Sequence, residues 1–227
     1  MAGVSPPAVW LWQSPAAVCT KIHTVSDNMP KFSVILPCHN AEDRMRVALD
    51  SIRKQVFRDY EIIVICDACT DRTADIAAEY GAKVIEVDYR NPGPTRSAGL
   101  DAATGEWVLF MDDDDHWLHE YVLTQLCDEL RDEDLLCFGF IWKGRGYTSP
   151  NRPGGIYWPA VWNKCWRRTA IGTTRFPEAY PDDLLFHNLM MDKFLKIRTW
   201  EMPMYYYNYW REGSISCQKE RDLRTDK

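Results

Sequence analysis

Apolar residues in the first 140 positions follow two alternating patterns. Short apolar runs such as 32–36 and 61–65 end near Pro, Asp or Gly, which is typical of buried strands. Between these runs, apolar residues recur at steps of three and four, as they do on one face of a helix. The predicted strands are 32–36, 61–65, 83–87, 107–111 and 135–140. The predicted helices are 45–56, a segment that Asp71 or Thr73 caps and Gly81 ends, 94–103 and 118–126.

An alternation of strands and helices predicts an α/β fold, in which helices cover both faces of a mostly parallel sheet. The pattern changes after Trp142, where a stretch rich in Gly and Pro (144–155) precedes aromatic-rich segments at 157–166 and 200–210. Aromatic concave surfaces suit sugars, although Trp and Tyr are also ordinary core residues. We expect the first part to build the sheet and the second to supply a platform over it.

Four consecutive aspartates, 112–115, end the apolar run 107–111. Adjacent carboxylates repel one another, so a folded chain needs a cation or hydrogen-bond donors beside them. Because alternate strand side chains point to opposite faces, Asp112 and Asp114 can turn the same way and share one divalent ion. Oxygen-only ligands predict Mg²⁺ or Mn²⁺, which leave coordination positions open for substrate phosphates. A solvated acidic loop is the alternative, but open α/β sheets bind ligands at such strand ends.

Composition narrows the possible classes of protein. The 227 residues are 46% hydrophobic, which suffices for one well-packed domain. A net charge of −6 opposes a broad nucleic-acid surface, although it leaves a nucleic acid acceptor open. No apolar stretch predicts a transmembrane segment, and positions 1–18 lack the basic start of a secretory signal. Because Cys38, Cys66, Cys127 and Cys137 lie in apolar segments, we predict free thiols and a cytoplasmic location, with peripheral membrane attachment left open.

Several short motifs occur in a fixed order, at 34–40, 65–71, 96–100, 105–115, 161–164, 175–178, 182–183 and 213–216. As an ordered set they resemble the family 2 glycosyltransferases, which have the GT-A fold. The resemblance implies transfer of one sugar from a nucleotide-diphosphate sugar, a UDP-sugar above all, to a carbohydrate or other hydroxyl-bearing acceptor. It also implies a divalent ion and inversion at the anomeric carbon. The Gln-x-x-Arg-Trp element of processive synthases is absent from the sequence, which favours addition of single sugars.

The resemblance divides the chain into a weakly specified extension (1–30), one GT-A domain (31–217) and a polar tail (218–227). Within the domain, 31–142 would bind the nucleotide-sugar and 143–217 the acceptor.

The resemblance also assigns roles to single residues. Asp112 and Asp114 match the two metal ligands of the Asp-x-Asp motif, and Asp113 would lie beside the ribose and sugar. Asp67 matches the carboxylate that hydrogen-bonds the nucleotide base, and His39 matches the ring that packs against that base.

Further donor contacts implied by the resemblance are Pro37, Asn40, Glu42 and Arg96. The alternative for Arg96 is a surface ion pair.

The catalytic base of the family is the second acid of a pair that opens a late helix, and Asp182-Asp183 stands at that position. An inverting displacement needs a carboxylate that takes the proton of the acceptor hydroxyl. We therefore predict Asp183 as the base and Asp182 as its positioning neighbour. The alternative is plain helix capping, since acids favour the first turn of a helix.

Three positions depart from the family pattern. Ala68 follows Asp67 where glycine is usual, His39 replaces a tyrosine, and Asp182 replaces a glutamate. The first of these departures puts the preference for uracil in doubt.

Other functions remain as alternatives. The spacing of Cys66 and Cys69 resembles a thioredoxin-type redox site, whereas zinc binding lacks a second Cys or His pair. A catalytically silent sugar-binding module on the same fold is a further possibility. Nucleotidyl transfer also uses aspartate-bound metal, but no Gly-rich phosphate loop follows the first strand.

Overall fold

The structure is a computed structural model that describes residues 29–152, 156–193 and 195–209. The predicted tail and positions 1–28 of the predicted extension lie outside the described residues. The first part contains β1 (Phe32–Cys38), α1 (Met45–Arg53), β2 (Tyr60–Asp67), α2 (Thr73–Glu79), β3 (Lys83–Val87), α3 (Pro92–Ala102), β4 (Trp107–Phe110), β5 (His116–Trp117), α4 (Val122–Glu129) and β6 (Leu135–Trp142). The second part contains β7 (Gly146–Thr148), β8 (Asn151–Arg152), β9 (Ile156–Tyr157), β10 (Lys164–Arg167), α5 (Arg168–Ile171), α6 (Asp182–Met191) and β11 (Ile197–Tyr207).

One mixed sheet contains most of these strands, in the order β3-β2-β1-β4-β10-β6-β11-β5, with β7 paired to β6. β8 and β9 pair in a separate two-stranded sheet. The four strands β3, β2, β1 and β4 are parallel to one another. β10 runs antiparallel to both of its neighbours, β4 and β6, whereas β11 is parallel to β6. The predicted α/β fold with a mostly parallel sheet is confirmed.

The two faces of the sheet carry separate cores. Along β1, Val34 and Leu36 pack on the face covered by α1, α2 and α4, whereas Ile35 packs on the face covered by α3, α5 and α6. The period of two in β1 therefore buries both of its faces, which is why the strand reads as a continuous apolar run. The predicted burial of Cys38, Cys66, Cys127 and Cys137 as free thiols is confirmed.

Helix α3 lies unusually close to its neighbours because two of its residues are glycines. A Cβ atom at Gly99 would lie 2.3 Å from Ile35 Cγ2 on β1, and one at Gly93 would lie 2.1 Å from the carbonyl oxygen of Pro177. Any larger residue at these positions would displace the helix. The glycines thus fix α3 between β1 and the segment that leads to α6.

Two helix predictions need correction. α1 ends at Arg53, and Val56 is exposed, with its N–H bonded to Glu120. α4 begins at Val122 instead of Leu118, because the preceding residues form β5 and the Leu118 N–H continues the pairing with β11. Pairing with a distant strand overrides the local helical spacing here.

No helix in the described ranges is long and apolar enough to cross a membrane. The cytoplasmic location stays a prediction.

Candidate active site

A cavity of about 750 Å³ opens where β1, β2 and β4 end. We define its sheet-edge wall as the lining residues that end or follow these strands, lie in the loop between β3 and α3, or belong to α3: Pro37, Cys38, His39, Arg44, Asp67, Arg90, Asn91, Pro92, Thr95, Arg96, Asp112, Asp113 and Asp114. We define its aromatic wall as the rings of Phe140, Trp142, Trp158, Trp162, Tyr207 and Tyr209. Residues 180–184, which include the acid pair, also line the cavity.

The acid run follows the end of β4, and its members differ in exposure. Asp112 and Asp114 are partly exposed and line the cavity, whereas Asp115 is fully buried. Asp113 accepts two hydrogen bonds from the Arg44 guanidinium, at 2.7 and 2.8 Å. The structure therefore brings Asp112 and Asp114 to one cavity, together with Asp113. β4 ends at Phe110, so a turn places these side chains there instead of the strand alternation that we expected.

A divalent ion fits these two carboxylates. They offer oxygen donors only, which Mg²⁺ and Mn²⁺ prefer. Burial raises the pKa of Asp112 to about 7, against the opposing effect of Arg96, and nearby carboxylates add to the rise. A cation beside such a carboxyl would favour its ionised form. Within the described part of the chain no three His, Cys, Asp or Glu side chains form a metal site. Ligand or water oxygens would therefore complete the coordination.

The Arg96 guanidinium connects the acid run with the acid pair. Its Nη1 atom lies 2.5 Å from Asp182 Oδ2 and 3.2 Å from Asp183 Oδ1, and Nη2 lies 3.2 Å from Asp112 Oδ1. The residue is only 8% exposed, so the alternative of a surface ion pair is wrong. Arg96 is instead a buried guanidinium that contacts three carboxylates at the cavity.

The two acids that open α6 have different surroundings. Asp182 is buried and hydrogen-bonded to Arg96. The Asp183 side chain is 25% exposed; its buried Oδ1 is ion-paired with Arg96 but has no hydrogen-bond partner among the described residues. Burial raises the pKa of Asp183, and Asp182 adds to the rise, whereas Arg96, Lys164 and the Val161 N–H oppose it. A partly exposed carboxylate with a raised pKa is suited to accept a proton.

Asp67, at the end of β2, orders the loop between β3 and α3. Its Oδ1 accepts the N–H groups of Tyr89 and Arg90, both at 2.7 Å, and its Oδ2 accepts the Asn91 N–H at 3.0 Å and the Thr95 hydroxyl at 2.6 Å. Burial alone would raise the pKa of Asp67, but these hydrogen bonds outweigh it and lower the pKa. A carboxylate has about four acceptor positions. A nucleotide base would have to share or replace one of these hydrogen bonds, so recognition of the nucleotide base by Asp67 stays a prediction.

The other predicted donor contacts separate into two groups. Pro37 and His39 line the cavity, and His39 Nδ1 donates to the Asp67 carbonyl oxygen at 2.6 Å. Asn40 and Glu42 are not among the lining residues. Their side chains accept backbone N–H groups of the turn between β2 and α2, at 2.8 and 2.9 Å. For these two residues the structure shows a loop-ordering contact, and donor contact stays a prediction.

Comparison with known proteins decides the family. The sequence model described as Glycosyl transferase family 2 matches residues 33–184, which is more than half of the chain. The matched span runs from β1 through the acid run to the acid pair. The chain belongs to family 2 of the glycosyltransferases.

Individual relatives agree with this assignment. Poly(ribitol-phosphate) beta-N-acetylglucosaminyltransferase TarS of Staphylococcus aureus (strain MW2) is 38% identical over 96 residues, which cover 39% of this chain and 17% of that protein. The crystal structure of S. aureus TarS 1–349 in complex with UDP-GlcNAc matches with a TM-score of 0.72 and 28% identity, covering 81% of this chain and 60% of that one. This chain spans about half or less of the length of its curated relatives.

A more distant neighbour shows the fold alone. Glucosyl-3-phosphoglycerate synthase from Mycobacterium tuberculosis, in complex with Mn²⁺, UDP and phosphoglyceric acid, matches with a TM-score of 0.65 at 20% identity. The match covers 86% of this chain and 76% of that one. The GT-A fold predicted for this glycosyltransferase is thus confirmed.

The turn after β2 in this glycosyltransferase has a left-handed residue although the sequence lacks the glycine usual in the family. Ala68 has a φ of 51°, in the left-handed region that favours glycine, and its N–H donates to the Val87 carbonyl at 2.7 Å. The thiols of Cys66 and Cys69 flank this turn, and a hydrogen bond between them lowers the pKa of Cys69 to about 7. Family membership favours glycosyl transfer over the thiol-redox alternative.

The aromatic wall combines core and cavity roles. Trp162 stacks on the buried Tyr205 with ring centroids 4.8 Å apart, while the half-buried Trp142 and Trp158 meet edge to face at 5.5 Å. Lys164, fully buried at the start of β10, donates to the carbonyl oxygens of Trp158 and Ala160. Burial lowers the pKa of Lys164 to about 8. One buried ammonium therefore fixes the loop that carries part of this wall.

Arg44, Lys164 and Tyr205 were not predicted as functional residues. Arg44 follows the first strand at the sheet edge where ligands bind, which is a usable sequence signal. Lys164 falls within a recognised motif, but its buried contacts with a preceding loop leave no local signature. Tyr205 is one of several tyrosines in a row, and nothing in the sequence separates it from its neighbours.

Proposed function

We propose that this glycosyltransferase transfers one sugar from a UDP-sugar to an acceptor hydroxyl, with inversion and with a divalent ion. The observation that carries the proposal is the Arg96 network, because it joins Asp112 of the acid run and Asp183 of the acid pair in one cavity. Similarity to TarS, which has been crystallised with UDP-GlcNAc, supports a UDP-sugar as the donor.

The sheet-edge wall would bind the donor. Asp112 and Asp114 would hold Mn²⁺ or Mg²⁺, which when bound neutralises the charge that develops on the diphosphate leaving group. Asp113, held by Arg44, would contact the ribose and sugar. The ring of His39 would pack against the base.

Asp183 would act as the general base. It takes the acceptor proton while the acceptor oxygen attacks the anomeric carbon from the face opposite the leaving group. A pKa raised by burial makes the carboxylate a better proton acceptor than an exposed aspartate. Asp182 accepts a hydrogen bond from Arg96 and so fixes the guanidinium, which also contacts Asp183.

The aromatic wall would bind the acceptor. Trp and Tyr rings present apolar faces to the C–H faces of sugars, and their polar edges bind hydroxyl groups. This wall lies in the same cavity as Asp183, so an acceptor stacked on it can present a hydroxyl to the base. The division of the domain into a donor half (31–142) and an acceptor half (143–217) is part of this proposal.

Calorimetric titration with UDP, in EDTA and in Mn²⁺, tests the donor site. We expect UDP to bind about 5–150-fold more tightly with Mn²⁺, the usual range for coupling between two ligands. The combined variant Asp112→Asn and Asp114→Asn should lose this gain. Asp132→Asn changes an exposed acid that does not line the cavity and should keep this gain. Equal UDP affinity of the parent in both buffers would remove the metal from the proposed function.

A further inference from the structure

Tyr205 and Asp115 join the acid run to β11. The hydroxyl of the fully buried Tyr205 donates to Asp115 Oδ2 at 2.7 Å, and its oxygen accepts the Asp112 N–H at 3.1 Å. The other oxygen of Asp115 accepts the Asn208 N–H at 2.7 Å. Both ends of the acid run are therefore bonded to one short segment, 205–208.

Ion pairing does not explain why Asp115 is buried. It lies beside Asp112 and Asp114, and its observed donors are a neutral hydroxyl and a backbone N–H. Neutral donors stabilise a carboxylate less than a cation does. The bonds of Asp115 instead define the shape of the acid run, because its own N–H also donates to the Asp112 carbonyl at 3.2 Å.

We infer that Tyr205 and Asp115 are positioning residues for the metal-dependent donor site. They hold the backbone of the acid run so that Asp112 and Asp114 face the cavity together. Because Tyr207 lies in the segment 205–208 and Tyr209 directly follows it, the same bonds fix the aromatic wall relative to the acid run. This inference rests on the proposed function.

The variant Tyr205→Phe removes the hydroxyl and keeps the ring that stacks on Trp162. The measured quantity is the ratio of the UDP dissociation constants in EDTA and in Mn²⁺. We expect this ratio to fall about tenfold, the size of effect that loss of one buried hydrogen bond gives. Binding of Mn²⁺ in the presence of UDP, read from the electron paramagnetic resonance signal of the free ion, should weaken by the same factor.

Two further variants sharpen the test. Tyr206→Phe changes the next residue of β11, whose ring stacks on His116, and should leave the ratio unchanged. Asp115→Asn should lower the ratio about threefold, since it preserves the bond between Tyr205 and the Asp112 N–H while weakening the other contacts.

An unchanged ratio in Tyr205→Phe, with a clear metal effect in the parent, overturns this inference and leaves the proposed function standing. Equal weakening of UDP binding in both buffers also overturns it, because that result indicates a general loss of the pocket. A parent without any metal effect removes the metal from the proposed function and the positioning role with it. If Tyr205→Phe does not fold, Asp115→Asn is judged by the same outcomes.

Discussion

The sheet-edge wall and the aromatic wall of the cavity are each ordered by a buried charge, but the charges are opposite. In the sheet-edge wall, the Asp67 carboxylate accepts backbone N–H groups and a hydroxyl. In the aromatic wall, the Lys164 ammonium donates to backbone carbonyls and to the Asn163 side chain. In each wall, the backbone groups of a loop form hydrogen bonds to the buried charged side chain: N–H groups bind the carboxylate, and carbonyl oxygens bind the ammonium.

The two charges differ in how well the fold supports them. Hydrogen bonds lower the pKa of Asp67 despite its burial, so the fold favours its ionised form. Burial lowers the pKa of Lys164 to about 8, so the fold disfavours its ionised form. The sheet-edge wall thus rests on a well-stabilised ion and the aromatic wall on a poorly stabilised one. We expect the aromatic wall to loosen before the sheet-edge wall when the protein is destabilised.

The largest expected effect is at Asp183, which lies in the same cavity but belongs to neither wall. Asp183→Asn preserves the size of the side chain but cannot accept a proton, so transfer should fall by roughly 10²–10⁴, the usual worth of general-base catalysis. UDP affinity should stay near the parental value, because the donor would bind the sheet-edge wall, to which Asp183 does not belong. UDP release from UDP-GlcNAc, with water as the acceptor until another is known, measures the loss.

Asp182→Asn is the matched control for this experiment and should reduce transfer less. Parental turnover in Asp183→Asn together with an inactive Asp182→Asn would assign the base to the neighbour. If neither variant changes turnover and the parent releases no UDP, Asp182 and Asp183 only cap the N-terminus of α6, and the chain is a binding module.

The next effect concerns the stability of the sheet-edge wall. Asp67→Ala leaves backbone N–H groups of the β3–α3 loop without their acceptor, and we expect the free energy of unfolding at pH 7 to fall by about 2–4 kcal/mol. Since the folded-state pKa of Asp67 is lowered, its contribution is present above the unfolded pKa and is lost as the pH falls through the folded one. The difference between variant and parent should therefore shrink in strong acid.

Urea denaturation at pH 7 and in acid below the ordinary aspartate pKa of about 3.9 measures this difference. Asp88→Ala, which changes an exposed acid in the same loop, serves as the control. A stable Asp67→Ala protein that binds UDP weakly would instead assign Asp67 mainly to base recognition.

A smaller effect is expected in the aromatic wall. Lys164→Met deprives buried carbonyls of their donor but also removes a charge that is poorly solvated, so the net loss of stability should be about 1–3 kcal/mol. UDP affinity should not change, since Lys164 does not line the donor site. Lys196→Met changes an exposed lysine and should have no measurable effect on either quantity. A loss of UDP affinity in Lys164→Met would show that the two walls are not independent.

The same contrast explains how much of the fold could be predicted. β1 to β4 were predicted because each is a short apolar run, and the helices between them show their own periodicity. β5 and β11 could not be predicted as partners, because β5 has two residues and pairs with a strand far along the chain. Long-range pairing leaves no periodic signal in a segment so short.

The candidate site divides in the same way. Asp112, Asp114 and Asp183 could be predicted from the sequence because adjacent carboxylates repel one another and need a partner, and because these residues stand in motifs that resemble those of the family. The surroundings that tune them were not identifiable. Arg96 was predicted near the donor, yet its contacts with both acids of α6 depend on the close approach of α3, which only the assembled fold shows.

Arg96 has a consequence for how this sequence can diverge. One guanidinium serves Asp112, Asp182 and Asp183, so a change in any of the four residues alters the charge balance of the other three. We therefore expect a homologue that has lost catalysis but kept the fold to have replaced Arg96 and the three aspartates together. Homologues that retain all four should be those still under selection to transfer sugar.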